Sequence, residues 1–227
     1  MNLETRKNLT AICQLAAPII VENVLQSLLG TVDTYFAGQL EDLAIAGIGV
    51  TNLIMNVYIS FFTAVSVGTV AVVSRFYGRK EYDRANRAMV HSLVAAAVMG
   101  CLMGAVSGVF GTPILRLSGA KADMMACVMP YYMVVAVPCV ALCLQLVLSA
   151  CLRAVKDTRT PMYVTALSNV LNIILNAISM RLGLGILGLG LATTLSRCIG
   201  AAVLFLRLRR RNQNIALSPC DLTRREF

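Results

Sequence analysis

The sequence predicts an all-α membrane protein, built as a polytopic bundle of six transmembrane helices. Of its 227 residues, 58% are hydrophobic and only 14% are charged, so a water-soluble core could not hide the apolar side chains. Nearly charge-free segments recur along the chain, and each is long enough for the roughly 20 helical residues that span a bilayer. Their apolar residues are continuous rather than alternating, which favours helices over a closed β-barrel.

The positions of the spans follow from the distances between charged residues. Glu22 interrupts the first span and Arg197 interrupts the sixth. The six predicted spans are 8–32, 43–74, 88–115, 124–152, 160–180 and 182–206. They would form one transmembrane lobe over residues 1–208, followed by a cytoplasmic linker or tail over 209–227. The first apolar run is too long for a cleavable signal peptide, so we expect it to remain as a span.

Two spans carry features that bear on packing. Gly100, Gly104 and Gly108 recur at four-residue spacing in the third span, which favours the close approach of a neighbouring helix. Thr160 is a residue type that caps helices, and Pro161 suits the first turn, where its missing N–H is not needed. The fifth helix is therefore predicted to begin at Pro161.

The net charge of +9 indicates orientation in the membrane rather than nucleic-acid binding. Sixteen Lys and Arg residues fall on one side of the predicted spans, whereas only Arg116, Lys121 and Arg181 fall on the other. By the positive-inside rule, both termini are predicted to be cytoplasmic. We expect a multi-pass protein of a bacterial cytoplasmic membrane.

The first span carries two carboxylates on one face. Glu22 and Asp33 are eleven residues apart, so on a helix they differ by only about 20° in direction and about 16 Å in height. Gln26 lies on the same face, one turn after Glu22. Charged groups at membrane depth usually face a bundle interior or a wet cavity, where they bind ions or substrates. The alternative for Asp33 is solvation at the outer interface.

An ion pair is the alternative interpretation of Glu22. Arg197 and Glu22 are predicted to lie about 15 Å and about 22 Å from the cytoplasmic ends of their helices. Two long side chains can bridge that difference, and a buried charge needs a partner. The hypothesis from the sequence is that these two residues pair.

The fifth span carries a second polar stripe, without charge. Its members recur at three- and four-residue steps on one helix face. They are Thr165, Ser168, Asn169, Asn172, Asn176 and Ser179. Two interpretations stay open: hydrogen bonding between helices, and an ion or substrate cavity shared with the first span.

Enzyme chemistry finds little support. His91 is the only histidine, and the nucleophile-elbow, zinc-protease and phosphate-loop motifs are absent from the sequence. The eight cysteines form no CxxC pair, so we expect small apolar side chains rather than a disulfide or metal framework. The paired Asn-Pro-Ala turns of aquaporin-type channels are also absent. A transporter without an organic cofactor is the remaining expectation.

Four stretches together resemble the multidrug and toxic compound extrusion (MATE) family of cation-coupled efflux transporters. They are LAAPIIVENVLQSLLGTVDTYFAGQL, AVVSRFYGRKEYDRA, LRAVKDTRTPMYVTALSNVLNIILN and GILGLGLATTLSR, in the family's order. The resemblance implies twelve helices in two lobes, of which this chain would be the N-terminal one. It also implies export of drugs or amphipathic organic cations driven by Na⁺ or H⁺. The implied partner is a second six-helix lobe, from a C-terminal half or a homodimer.

The resemblance implies a coupling site as well. Asp33 matches the family's first-helix aspartate, so it would bind the coupling cation and is a candidate Na⁺ ligand. Asn172 matches the asparagine of the fifth helix, and Asn176 stands where many members carry an aspartate. Neutral oxygen donors at both positions suit Na⁺ at least as well as H⁺. A second departure is the loop before the fifth span, where Ala154, Val155 and Lys156 replace the common glycines.

A substrate cavity beside Asp33 is the last expectation. Gln26 and Thr193 match residues near the family's cavity, and Glu22 and Asn169 are expected to line it as well. Two other functions stay open. One is a lipid-linked sugar flippase of the same superfamily, for which Arg197 is the one candidate cavity cation. The other is a folded lobe that does not transport and serves as an assembly partner.

Overall fold

The computed structural model describes residues 3–40 and 42–211, and these residues form seven α-helices. The helices are α1 (Leu3–Ala37), α2 (Asp42–Gly78), α3 (Tyr82–Leu117), α4 (Met125–Ala136), α5 (Cys139–Ala154), α6 (Arg159–Arg181) and α7 (Gly185–Arg211). Short turns join them. The predicted all-α fold class is confirmed. The predicted tail over 209–227 lies outside the described residues, except for its first three residues, which continue α7.

The fourth predicted span is two helices rather than one. α4 and α5 meet at an angle of 41°, with Pro138 between them. Proline has no N–H, so the carbonyl of Val134, four residues earlier, loses its helical partner. Thr194 of α7 fills that place, because its hydroxyl donates to the Val134 carbonyl oxygen at 2.8 Å. The break is therefore satisfied by a side chain from a neighbouring helix.

The helices differ in whether they are apolar and long enough to span a membrane. α2, α3, α6 and α7 are long and apolar enough to cross a membrane, and the bent α4–α5 pair adds a fifth candidate span. α1 has 35 residues but is not among these helices. Its polar residues Glu22, Gln26 and Asp33 lower its hydropathy. α1 instead packs mainly against α6, with further contacts to α2 and α7.

The centre of the bundle is α5. Thirteen of its 16 residues are buried, and it packs against α2, α3 and α7. Such all-round burial explains why its apolar residues continue around the helix instead of forming one stripe. α1 and α6 pack against each other, α6 also packs against α7, and both α1 and α6 make few contacts with α5.

The loop between α5 and α6 has no glycine, and the end of α5 shows how the chain turns there without one. α5 ends in a Schellman motif, in which the Lys156 N–H donates to the Arg153 carbonyl and the Asp157 N–H to the Leu152 carbonyl. Lys156 takes a φ of 64°, the left-handed conformation that costs a residue with a β-carbon about 1–2 kcal/mol. Its positive charge next to a helix C-terminus offsets part of that cost.

The start of α6 corrects an expectation. The helix begins at Arg159, two residues before Pro161. Asp157 provides the side-chain acceptor there, since its carboxylate accepts the Thr160 N–H at 3.1 Å and the Thr160 hydroxyl at 2.7 Å. Thr160 was expected to cap the helix, but its hydroxyl is bound to Asp157 instead. The two bonds go to different oxygens of the Asp157 carboxylate, Oδ1 and Oδ2.

The glycines of α3 have the predicted packing role at two of three positions. A β-carbon at Gly100 would come within 2.6 Å of the Val140 Cα, and one at Gly104 would collide with the backbone carbonyl of Val137. Gly108 differs, because a β-carbon there would make an ordinary 3.8 Å contact with the Val137 side chain. The glycine stripe therefore seats the α4–α5 break against α3.

Gly104→Ala should destabilise the chain by about 2 kcal/mol or more, since the clash is with backbone that cannot rotate away. Gly108→Ala is the matched control and should change the free energy of unfolding by less than about 0.5 kcal/mol. Denaturation of the purified variants in detergent measures both. Equal losses at the two positions would contradict the packing described for α3.

Candidate functional site

Asp33 lies in the interior of the bundle with 3% of its surface exposed. Its Oδ1 accepts hydrogen bonds from Asn176 Nδ2 at 3.0 Å and Asn172 Nδ2 at 3.3 Å. Its Oδ2 accepts a hydrogen bond from the Thr193 hydroxyl at 2.7 Å. The carboxylate is therefore surrounded by neutral donors from α6 and α7 and is not solvated at the outer interface.

Local sequence explains why these donors converge. Asn172 and Asn176 are four residues apart, so both project from one face of α6. The turn after α6 returns the chain to α7, which packs along α6 and brings Thr193 to the same level. α1 packs against α6 and supplies Asp33. The site needs three helices, two of them consecutive in the chain.

The donors are also bonded to one another. Asn176 Nδ2 donates to Asn172 Oδ1 at 3.1 Å, and Asn172 Nδ2 donates to Thr193 Oγ1 at 3.1 Å. Thr193 Oγ1 also lies 3.1 Å from the Leu189 carbonyl oxygen. Asn176 Oδ1 is the exception: it is buried and has no hydrogen-bond partner among the described residues. The network is therefore complete except for one amide oxygen beside the carboxylate.

Thr193 is the residue of this network that can change its bonding. A hydroxyl carries one hydrogen, so it can donate to Asp33 Oδ2 or to the Leu189 carbonyl, but not to both. When Asp33 is a bare carboxylate, the shorter bond to Asp33 is satisfied. When a cation or proton occupies Asp33, the hydroxyl can turn to Leu189 and leave its oxygen as an acceptor.

Arg197 lies one turn after Thr193 on the same face of α7. Its guanidinium interacts electrostatically with Asp33 and with the buried Tyr131 of α4. The predicted pairing of Arg197 with Glu22 is therefore wrong. Arg197 provides a positive charge near the Asp33 carboxylate instead.

Glu22 has a different partner. It is fully buried, and its Oε2 lies 3.4 Å from Nη1 of Arg153 on α5. Arg153 directly follows the fourth predicted span, 124–152, and is one of the sixteen basic residues on the predicted cytoplasmic side, so the sequence did not suggest it as a partner. In the structure it lies in the last turn of α5. Glu22 therefore belongs to a second cluster, separate from the partners of Asp33.

Two other expected cavity residues have modest roles in the structure. Asn169 donates from Nδ2 to the Leu25 carbonyl at 2.6 Å, so it ties α6 to the backbone of α1. Gln26 is half-buried. Asn169, Asn172 and Asn176 all bond to α1, so hydrogen bonding between helices is seen for this part of the α6 stripe. The ion or substrate cavity stays a prediction.

Sequence reasoning missed a polar stripe on α5. Gln145, Ser149 and Arg153 follow each other at four-residue steps, so they share one helix face. Gln145 and Ser149 are buried, and Ser149 lies beside the Glu22 carboxylate. The four-residue spacing was available in the sequence but was masked by the apolar residues around it.

The chemistry of the Asp33 site suits a monovalent cation. One carboxylate, two amides and a hydroxyl are hard oxygen ligands, and the amide groups can present oxygen after a half-turn about their last side-chain bond. Within the described residues, no group of three or more His, Cys, Asp or Glu side chains could hold a metal ion. The carboxylate, amide and hydroxyl oxygens of this site are groups that could ligate a small hard cation, and the carboxylate could take up a proton.

The fold and the buried site together define a helical membrane transporter lobe. The MatE family model matches residues 18–178, and the chain belongs to this family. The chain is 32% identical over 206 residues to the "Probable multidrug resistance protein NorM" of Thermotoga maritima, covering 88% of this chain and 44% of that protein. It is 25% identical over 207 residues to the "Multidrug export protein MepA" of Staphylococcus aureus, covering 90% and 46%.

Solved structures give the same assignment of the fold. The Vibrio cholerae MATE transporter VcmN in its bent form matches with a TM-score of 0.87 at 25% identity, over 92% of this chain and 48% of that one. A MATE crystal structure in the bent conformation matches with a TM-score of 0.89 at 22% identity, over 95% and 49%. The chain thus spans about half the length of its relatives and corresponds to the N-terminal half of the MATE fold.

The bond between Thr193 and Asp33 can be tested by a double-mutant cycle. Thr193→Val removes the hydroxyl but keeps the shape, and Asp33→Asn removes the charge. Because the two side chains are in contact, their effects on the free energy of unfolding should be non-additive by about 1–3 kcal/mol. Thr194→Val is the matched control, since its hydroxyl bonds Val134 outside the network. Additive effects in both cycles would contradict the site geometry.

Proposed function

We propose that this chain is the N-terminal lobe of an exporter in which Asp33 exchanges its protein hydrogen bonds for a coupling cation, Na⁺ or H⁺. The observation that carries the proposal is the Asp33 network: a buried carboxylate held only by neutral donors, beside an unpartnered amide oxygen. An ionised carboxylate at membrane depth is costly, and such residues are functional sites by default.

Cation binding would change the network in a defined way. Asn172 and Asn176 would turn their amide oxygens towards the ion, and Thr193 would turn its hydrogen to the Leu189 carbonyl. Each group already sits within hydrogen-bond distance of the carboxylate or of its neighbour. No helix needs to move for the first ligands to form. The cost of reorganising the site is therefore small.

Coupling requires that occupied and empty sites favour different arrangements of the lobe. Asp33 is the residue through which α1 is held to both α6 and α7. A cation on Asp33 weakens those hydrogen bonds and so changes how firmly α1 is held. We infer that α1 is the element whose packing the cation controls, between a straight and a bent form.

Arg197 bears on how strongly the site binds a cation. Its positive charge is within electrostatic range of Asp33, and the residue itself is half-buried. A bound cation and the guanidinium therefore compete for one carboxylate. Because Arg197 is engaged near Asp33, it is not a free cation for an anionic lipid headgroup, which makes the flippase alternative the weaker one.

Substrates and partner follow from the family. The relatives' names point to multidrug export, so amphipathic organic cations or similar drugs are the proposed substrates. Alternating access needs two bodies that rock about a shared site, so a second six-helix lobe is the proposed partner. That lobe would come from a C-terminal half or from a second copy of this chain. The membrane is proposed to be the bacterial cytoplasmic membrane, with both termini inside.

Transport by the proposed site can be measured in proteoliposomes that contain the chain, alone and with a second lobe supplied. Efflux of an ethidium-type dye under a Na⁺ or H⁺ gradient should be abolished by Asp33→Asn, because the amide cannot hold a cation as a carboxylate does. Asp123→Asn is the control, since Asp123 is exposed in the turn before α4. Gradient-driven efflux by Asp33→Asn at the native rate would refute the proposal.

Absence of efflux from the native chain in both preparations would instead favour the folded lobe that does not transport.

Arg197→Gln should raise the affinity of the site for the coupling cation by about tenfold, because it removes a competing charge in a low-dielectric site. Arg197→Lys, which keeps the charge, should leave the affinity near the native value. The measurement is the rise in thermal stability with Na⁺ concentration, compared with choline. An affinity that falls or does not change in Arg197→Gln would show that the guanidinium does not compete for Asp33.

A further inference from the structure

Glu22 and Arg153 connect two helices that do not otherwise pack closely. In the part of the chain that the structure describes, α1 packs against α6, α2 and α7 but makes few contacts with α5. The Glu22 carboxylate and the Arg153 guanidinium nevertheless meet at 3.4 Å. The ion pair therefore spans the space between α1 and α5, about 16 Å along α1 from Asp33.

The pair is not arranged for maximum stability. Glu22 is fully buried, yet its Oε1 has no hydrogen-bond partner among the described residues. Its Oε2 meets Arg153 at 3.4 Å, which is long for a charge-assisted hydrogen bond, and Ser149 lies beside the carboxylate. Burying charges costs free energy that only good geometry and additional hydrogen bonds offset. A partly satisfied buried pair is easier to separate than a complete one.

The two partners differ in what they can do after separation. Arg153 lies in the last turn of α5 with 18% of its side chain exposed, so it can turn outward to water. A cation at a helix C-terminus is also favoured by the helix dipole. Glu22 has no such route and remains inside the lobe. Separation of the pair therefore requires water to reach Glu22 from the Arg153 end.

We propose that the Glu22–Arg153 ion pair closes the lobe on the side where α5 ends, and that its separation admits water between α1 and α5. Asp33 and Glu22 then hold α1 at two levels, one against α6 and α7 and one against α5. The pair controls access rather than cation binding. This inference rests on the proposed transport function only in taking that side as cytoplasmic.

The entry of water between α1 and α5 can be measured with a cysteine on the face of α5 that carries Arg153. Gln145 is buried two turns deeper than Arg153, so Gln145→Cys reports on water entry past the pair. Inside-out vesicles containing the full chain are treated with a membrane-impermeant maleimide in cation-free buffer. Labelling at position 145 is quantified by peptide mass spectrometry, and native Cys143, buried on the opposite side of α5, is the reference for global unfolding.

Two variants should shift the labelling rate in opposite directions. Arg153→Gln leaves Glu22 unpaired and should raise the rate at position 145 relative to Cys143 by about tenfold. Glu22→Leu with Arg153→Met replaces the pair by apolar contact and should lower the rate by about tenfold, with stability equal or higher. Arg159→Gln, which removes an exposed charge from the same turn region, should change neither.

Other results would overturn the inference. Equal rates in all variants would mean that water does not pass the pair. If labelling rises equally at position 145 and at Cys143, the pair only stabilises the fold. If Arg159→Gln has an effect as large as that of Arg153→Gln, labelling responds to the loss of any positive charge in this region rather than to the pair. Cation-free conditions keep this test separate from the Asp33 proposal, because neither the ion nor transport is needed for the readout.

Discussion

A single buried carboxylate, Asp33, sets the organisation of this lobe. It takes three hydrogen bonds from α6 and α7, and all three come from neutral side chains. A carboxylate cannot remain inside a membrane bundle without such partners, so α1, α6 and α7 must meet at this level. The nearest positive charge is that of Arg197, which acts on Asp33 electrostatically. On the function proposed above, a cation would bind at this carboxylate.

The rest of the bundle supports this arrangement. α5 lies at the mostly apolar centre of the bundle. The glycines of α3 allow the break between α4 and α5 to pack closely against α3. The break frees the Val134 carbonyl oxygen, which accepts a hydrogen bond from the Thr194 hydroxyl. The neighbouring residue, Thr193, bonds Asp33. Two consecutive threonines on different faces of α7 therefore have different roles. Thr194 stabilises the break between α4 and α5, and Thr193 binds Asp33.

Sequence patterns identified three members of the site, Asp33, Asn172 and Asn176, whereas Thr193 was named only from the family resemblance. Four-residue spacing placed Asn172 and Asn176 on one face, and the acid in an apolar helix identified Asp33. The partner of Glu22 could not be predicted in the same way. Estimates of depth along the helices favoured Arg197 over Arg153, which follows the predicted end of the fourth span. The choice between them depends on how the helices rotate about their axes, and a single helix does not determine that rotation.

The bend between α4 and α5 was also hard to predict, for a different reason. Pro138 lies in a continuous apolar run, and a proline in a membrane helix can either bend it or leave it nearly straight. The outcome depends on whether a neighbouring side chain replaces the lost hydrogen bond. Here the neighbour is Thr194, about 60 residues later in the chain. Long-range contacts of this kind are not visible in local sequence patterns.

The central claim, that the Asp33 carboxylate exchanges protein donors for a monovalent cation, is tested most directly by infrared difference spectroscopy. The chain would carry ¹³C-labelled aspartate carboxyls, with Asp33→Asn as the subtraction partner. Addition of Na⁺, or acidification if the coupling ion is a proton, should shift one carboxylate band that is missing in Asp33→Asn. A band assigned to Asp33 that stays constant under both treatments would contradict the claim.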